Sequence, residues 1–208
     1  MIEYNALLMF ISASLLLAFA PGPDNIFVLS QSIAYGRSTG IKITLGLCTG
    51  LIVHTVIVAL GVSVIFRTSL IAFNILKYAG AAYLLYLSIL TFRHASKSSD
   101  LKNTGESPSL HLYRRGIIMN ITNPKVSIFF MAFLPQFANP GNGSMTLQLF
   151  LLGLIFIAVT MLVFGLISFL AGAIGKWLSQ SARFEKILNL FAGTVLAALA
   201  VTLATTRQ

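Results

Sequence analysis

The chain has 208 residues, of which 57% are hydrophobic and 9% charged, and its mean hydropathy is +0.89. A soluble domain carries roughly 25% charged residues to cover its surface, so this composition excludes a soluble globular protein, and the scarcity of charge excludes disorder. The net charge of +9 lies in short gaps between apolar runs, which is the pattern of membrane orientation and not of nucleic-acid binding.

A membrane-crossing helix needs about 20 apolar residues. By that measure six spans are predicted, at roughly 6–30, 41–66, 69–92, 115–138, 146–175 and 185–204. The runs are continuous, whereas barrel strands alternate apolar and polar residues. The expected fold is therefore an all-α integral membrane protein.

The first run ends its apolar stretch at Ala18-Phe19-Ala20, which resembles a signal-peptide cleavage site. Glu3, the lack of an early Lys or Arg and the following Pro21 argue against cleavage. Pro21-Gly22-Pro23-Asp24-Asn25 then interrupts the run. Two prolines remove two N–H donors and clash with the preceding turn. Irregular backbone at membrane depth is tolerated where it is buried in protein or lines a cavity. A buried Asp24 would cost about 2.5–3.5 kcal/mol on insertion scales. One reading is a functional helix break, as at transporter sites. The other is a kink near the cytoplasmic end, with Asp24 reaching water.

The second span carries Gly46, Gly50 and His54 at spacings of four, on one helical face. The glycines permit close helix approach. His54 could relay protons or bond substrate, or it could simply hydrogen-bond a neighbouring helix. A few residues around Arg67 and Thr68 separate this span from the third as a tight hairpin. The third span contains Gly80, a packing candidate, with Lys77 near its outer end as an anchor and Tyr83 and Tyr86 as cavity or belt aromatics.

A polar stretch from Arg93 to Arg115, rich in Ser with Gly105 and Pro108, reads as a linker. The chain is thus one transmembrane domain: a three-helix repeat at 1–92, a cytoplasmic linker at 93–114 and a second repeat at 115–208. The fourth span opens with Asn120, Thr122, Asn123, Pro124 and Lys125. Pro124-Lys125 mirrors Pro23-Asp24 with the opposite sign, so a charge pair at one site is expected; the alternative is a lysine snorkelling to the interface. Trp177 beside Lys176 reads as an interfacial anchor.

With the Arg93–Arg115 loop in the cytoplasm, Arg37, Lys42, Lys176, Arg183 and Lys186 fall on the same side, and the opposite side holds Arg67 and Arg207. Both termini are then external. Three spans per half give the halves opposite orientation, the arithmetic of an inverted-topology repeat.

Pro21–Asn25, Asn123-Pro124-Lys125 with Phe129-Phe130, Leu134-Pro135-Gln136-Phe137 and the stretch Leu76–Leu84 together resemble the lysine exporter / homoserine–threonine resistance family of bacterial amino-acid exporters. The resemblance covers nearly the whole chain. It implies a multi-pass protein of the bacterial inner membrane that exports a small amino acid in exchange for protons. Gly46, Gly50 and His54 look most like the homoserine and threonine branch, and the Pro21–Asn25 stretch is less branch-specific.

The site expected on these grounds comprises Asp24, Lys125, His54, Asn123 and Asn25, placed by breaks at Pro21, Gly22, Pro23 and Pro124 and by packing glycines Gly46, Gly50 and Gly80. Asp24 would take a substrate ammonium and Lys125 its carboxylate, with Asp24 first and His54 second as proton carriers. The expected partners are an amino-acid substrate, protons and lipid, without nucleic acid; an assembly of identical chains is compatible with the sequence. No cofactor or metal is expected; Cys48, the sole cysteine, excludes a disulfide framework and any cysteine-rich metal site. An enzyme is disfavoured by the lack of H-E-x-x-H and G-x-S-x-G motifs. A passive channel or an accessory subunit remains the competing class.

Overall fold

The computed structural model describes residues 2–62, 70–94, 109–179 and 182–205. Arg67, Thr68, Arg207 and most of the basic linker lie outside the described residues, as do the side chains of Lys176, Trp177 and Arg183.

Helix α1 (Tyr4–Phe19) stops at the prolines, and α2 (Pro23–Tyr35) restarts with Pro23 in its first turn, where a missing N–H costs nothing. The two are bent by 57°. Gly36 ends α2 at φ 88°, a left-handed conformation that favours glycine. Helix α3 (Arg37–Ile57) follows at once and continues as a π-type turn, Val58–Val62. Helix α4 spans Leu70–His94.

In the second half, α5 (Ser109–Thr122) and α6 (Pro124–Ile128) meet at Asn123. The bend there is 51°. A π-type turn, Phe129–Phe133, and a 3-10 turn, Leu134–Phe137, complete this run. Helices α7 (Met145–Ser179) and α8 (Ala182–Thr205) close the chain. Among the described residues, four helices are long and apolar enough to cross a membrane, or up to six if each bent pair is one span. No strand occurs among the described residues.

The structure moves several expected boundaries. The first two spans nearly abut at Gly36, instead of being separated by residues 31–40. The fourth begins at Ser109 and not at 115, so a polar helical turn carrying Tyr113 and Arg114 precedes the apolar part. At 35 residues, α7 is about 52 Å long at 1.5 Å per residue, well beyond the ~30 Å hydrocarbon core.

Helix α3 packs on α5 and α7, α7 packs on α1 and α2, and α4 packs on α8. An aromatic core locks the second break in place. Phe129 stacks on Phe133 at 5.0 Å and meets Phe156 of α7 at 5.0 Å and Phe10 of α1 at 6.0 Å. The Phe129-Phe130 pair of the sequence motif is therefore a packing element.

Lys77 is not an interfacial anchor. It falls on the buried stripe Phe73, Lys77, Gly80, Leu84 and Ser88 and is 5% exposed, with its ammonium 4.6 Å from the Tyr78 ring. The face that α4 presents to the second half is set by spacing, and Lys77 lies on it. Gly80 is a contact point, because a Cβ there would lie 2.5 Å from the Ala132 side chain. Tyr86 is exposed and packs near Tyr83, with ring centroids 5.8 Å apart.

Candidate functional site

Each break can be followed through the carbonyls it frees. In an unbroken helix the N–H of residue i bonds the carbonyl of residue i−4. Pro21 has no N–H for the Leu17 carbonyl, and the extended backbone at Ala20 and Gly22 withdraws the donors of the next turn. Buried carbonyls must find other partners. Lys125 Nζ donates to the Leu17 carbonyl at 3.3 Å and to the Ala20 carbonyl at 2.9 Å. Asn25 Nδ2 donates to the Ala18 carbonyl at 2.7 Å.

The second break follows the same logic. Pro124 has no N–H for the Asn120 carbonyl. That carbonyl instead accepts from the Asn123 N–H at 3.1 Å and from His54 Nε2 at 3.2 Å. A carbonyl only accepts, so Nε2 carries the donated proton. Asn123 Oδ1 caps α6 by accepting from the Lys125 N–H at 3.0 Å. The first break is thus completed by a lysine from the second half, and the second break by a histidine from the first.

The glycine stripe explains how His54 reaches this carbonyl. A Cβ on Gly46 would run into the Tyr113 carbonyl of α5, and one on Gly50 would lie 2.7 Å from Asn120 Cβ. Gly116 mirrors this from α5, where a Cβ would lie 2.5 Å from the Ile43 carbonyl. Backbone-to-backbone approach of α3 and α5 therefore delivers His54 to Asn120.

Asp24 and Lys125 line one cavity, together with Asn120, Phe156, Thr160 and Phe164. Both are buried, at 4% and 8% exposure. Asp24 stands in the first turn of α2, at the positive end of the helix dipole. The Lys125 ammonium rests at the negative end of α1. Asp24 and Lys125 nevertheless form no ion pair within 4.0 Å, and Asp24 Oδ1 has no hydrogen-bond partner. The ammonium is held by backbone carbonyls instead. Gly22 lies beside it, with a Cβ position 3.1 Å from Lys125 Nζ.

The space open to the centre of a water-sized sphere is about 20 Å³, room for a water or two. Phe156, Thr160 and Phe164 were not singled out from the sequence. They lie in a continuous apolar run of α7, where Thr160 is the only weak signal.

A family model described as LysE type translocator matches residues 15–207. The homoserine/homoserine lactone efflux protein of Salmonella typhimurium is 36% identical over 200 residues, covering 96% of each chain. An uncharacterized membrane protein of Bacillus subtilis, YrhP, is 33% identical over 201 residues, covering 92% of this chain and 95% of its own. An uncharacterized membrane protein of Pseudomonas aeruginosa is 30% identical over 192 residues, covering 89% of this chain and 88% of its own. No solved structure matches the chain. With the match running through both breaks and the cavity between them, the chain belongs to the LysE type translocator family.

Proposed function

We propose that this translocator exports a small neutral amino acid, of the homoserine or threonine kind, across the bacterial inner membrane in exchange for protons. The observation that carries the reading is the cavity in which a buried carboxylate and a buried ammonium stand at two broken helices without pairing. A zwitterion offers the complement of both charges. The efflux relative from Salmonella supports the substrate class.

In the proposed cycle, a substrate carboxylate takes Lys125 from the Leu17 and Ala20 carbonyls, while Asp24 receives the ammonium. Drawing Lys125 away releases the end of α1, so binding loosens one break. Protonation of Asp24 removes its hold on the ammonium and couples release to the proton. The small cavity favours a carrier that opens over a standing pore. The packing of α3 and α7 at the centre, each against the other half's broken run, is compatible with two inverted repeats.

For orientation, Glu3 Oε1 accepts from Asn142 Nδ2 at 3.0 Å, which puts the start of α1 and the loop before α7 at one end. We assign that end to the outside, with Arg37 and Arg115 towards the cytoplasm. The test is uptake of labelled amino acids into inside-out vesicles under an imposed pH gradient. Saturable, gradient-driven uptake with counterflow is expected, and Asp24→Asn should lose the pH dependence. Non-saturating flux without counterflow would instead identify a channel, and pH-driven uptake by Asp24→Asn would remove Asp24 from coupling.

A further inference from the structure

We infer that Thr160 and Asn120 are binding residues that complete, with Asp24, a seat of three oxygens for a primary ammonium. The inference rests on the proposed amino-acid substrate and adds to it the way the amine end is read.

The buried hydroxyls of the described helices set Thr160 apart. Ser14, Ser32, Thr44, Thr55 and Ser168 each donate to the carbonyl four residues back, and Ser88 donates to the Gly193 carbonyl. Thr160 is 4% exposed, yet its Oγ1 has no partner. The α7 backbone offers it the same back-bond that the others use, yet the hydroxyl stays unbonded in a residue that lines the cavity.

Asn120 is 2% exposed, and its Oδ1 is likewise without a partner. Gly50 of α3 faces that side chain, and a Cβ there would lie 2.8 Å from Asn120 Oδ1. Asn25 Oδ1, Gln136 Oε1 and Asp24 Oδ1 are in the same condition, and of these three residues Asp24 lines the cavity. Unpaired buried polar atoms are costly and rare, and three of them belong to residues around one cavity of about 20 Å³. A primary ammonium carries three N–H donors and no acceptor. It satisfies one carboxylate and two neutral oxygens, while Lys125 serves the carboxylate at the other end. A secondary or fully methylated amine would leave one or more of these oxygens stranded.

The experiment measures binding to the purified full-length carrier in detergent, using L-homoserine and its N-methyl, N,N-dimethyl and N,N,N-trimethyl derivatives. The wild type should lose affinity at each methylation. Thr160→Val, which keeps the shape, should weaken homoserine roughly 10- to 100-fold, as expected for a hydrogen bond to a charged group. It should also flatten the first methylation step, and Thr160→Ser should restore both. Unliganded melting temperatures check that the variants are folded. Wild-type affinity and an unchanged methylation series in Thr160→Val would overturn the seat while leaving the Asp24 and Lys125 reading intact. Stabilisation of the wild type by sodium chloride but not choline chloride, lost in Thr160→Val, would reassign the oxygens to a metal cation and overturn the ammonium seat. If the wild type binds no amino acid of the homoserine or threonine kind, the proposed substrate fails and the seat fails with it.

Discussion

Removing the Lys125 ammonium tests whether the first break depends on a side chain from the other half. In Lys125→Met the stem still fills its place, but the Leu17 and Ala20 carbonyls lose the donor seen at 3.3 and 2.9 Å. Each stranded buried carbonyl costs about 1–3 kcal/mol, which gives roughly 2–6 kcal/mol for the two. Relief from burying an ammonium offsets part of this, so a net loss of about 2–4 kcal/mol is expected. The comparison is Asn25→Ala, which strands only the Ala18 carbonyl and should cost about 1–3 kcal/mol. The assay is reversible unfolding of the purified protein in mixed micelles under increasing denaturing detergent. A second substitution makes the reasoning specific. Pro21→Ala returns an N–H that can bond the Leu17 carbonyl if α1 winds one residue further. In the Lys125→Met background it should recover about 1 kcal/mol, the net worth of a hydrogen bond. Wild-type stability of Lys125→Met, or no recovery on adding Pro21→Ala, would refute the view that the lysine replaces the missing proline donor.

His54→Phe should cost about 1 kcal/mol, because Asn120's carbonyl keeps the Asn123 N–H as a partner; retention of pH-driven export in a folded His54→Gln would confine His54 to this structural bond. Gly50→Ala places a methyl 2.7 Å from Asn120 Cβ and should destabilise by about 1–3 kcal/mol, whereas Gly165→Ala, with open space around it, should stay within about 0.5 kcal/mol; equal effects in the same unfolding assay would argue against a tight α3–α5 contact. For orientation, with single cysteines at Ser98 and Gly141 in a Cys48-free background, Gly141→Cys is expected to label with an impermeant thiol reagent on intact cells and Ser98→Cys only after the membrane is opened. Labelling of Ser98→Cys alone would invert the assignment.

The sequence by itself determined the solvent and the punctuation. Low charge and long apolar runs require lipid, and Pro21, Pro23 and Pro124 must interrupt helices wherever the fold places them, because a missing N–H is a covalent fact. The Gly46, Gly50 and His54 stripe was legible as one face through helical periodicity, and Asp24 and Lys125 stood out as charges that lipid does not tolerate alone. What these groups touch was decided only by tertiary structure. Periodicity marks a face without naming the helix that covers it, so neither the α3–α5 contact nor His54's bond to Asn120 could be read from spacing. Lys77 looked like an anchor because it lies near a helix end; the packing of α4 buried it. The expected Asp24–Lys125 pair is not made, since the carbonyls freed by Pro21 offer the ammonium partners at closer reach. Thr160 carried almost no signal, because a threonine in an apolar helix normally bonds its own backbone. Only the fold, which leaves its hydroxyl unbonded and places Thr160 around one cavity with Asp24 and Asn120, distinguishes it from the threonines that do.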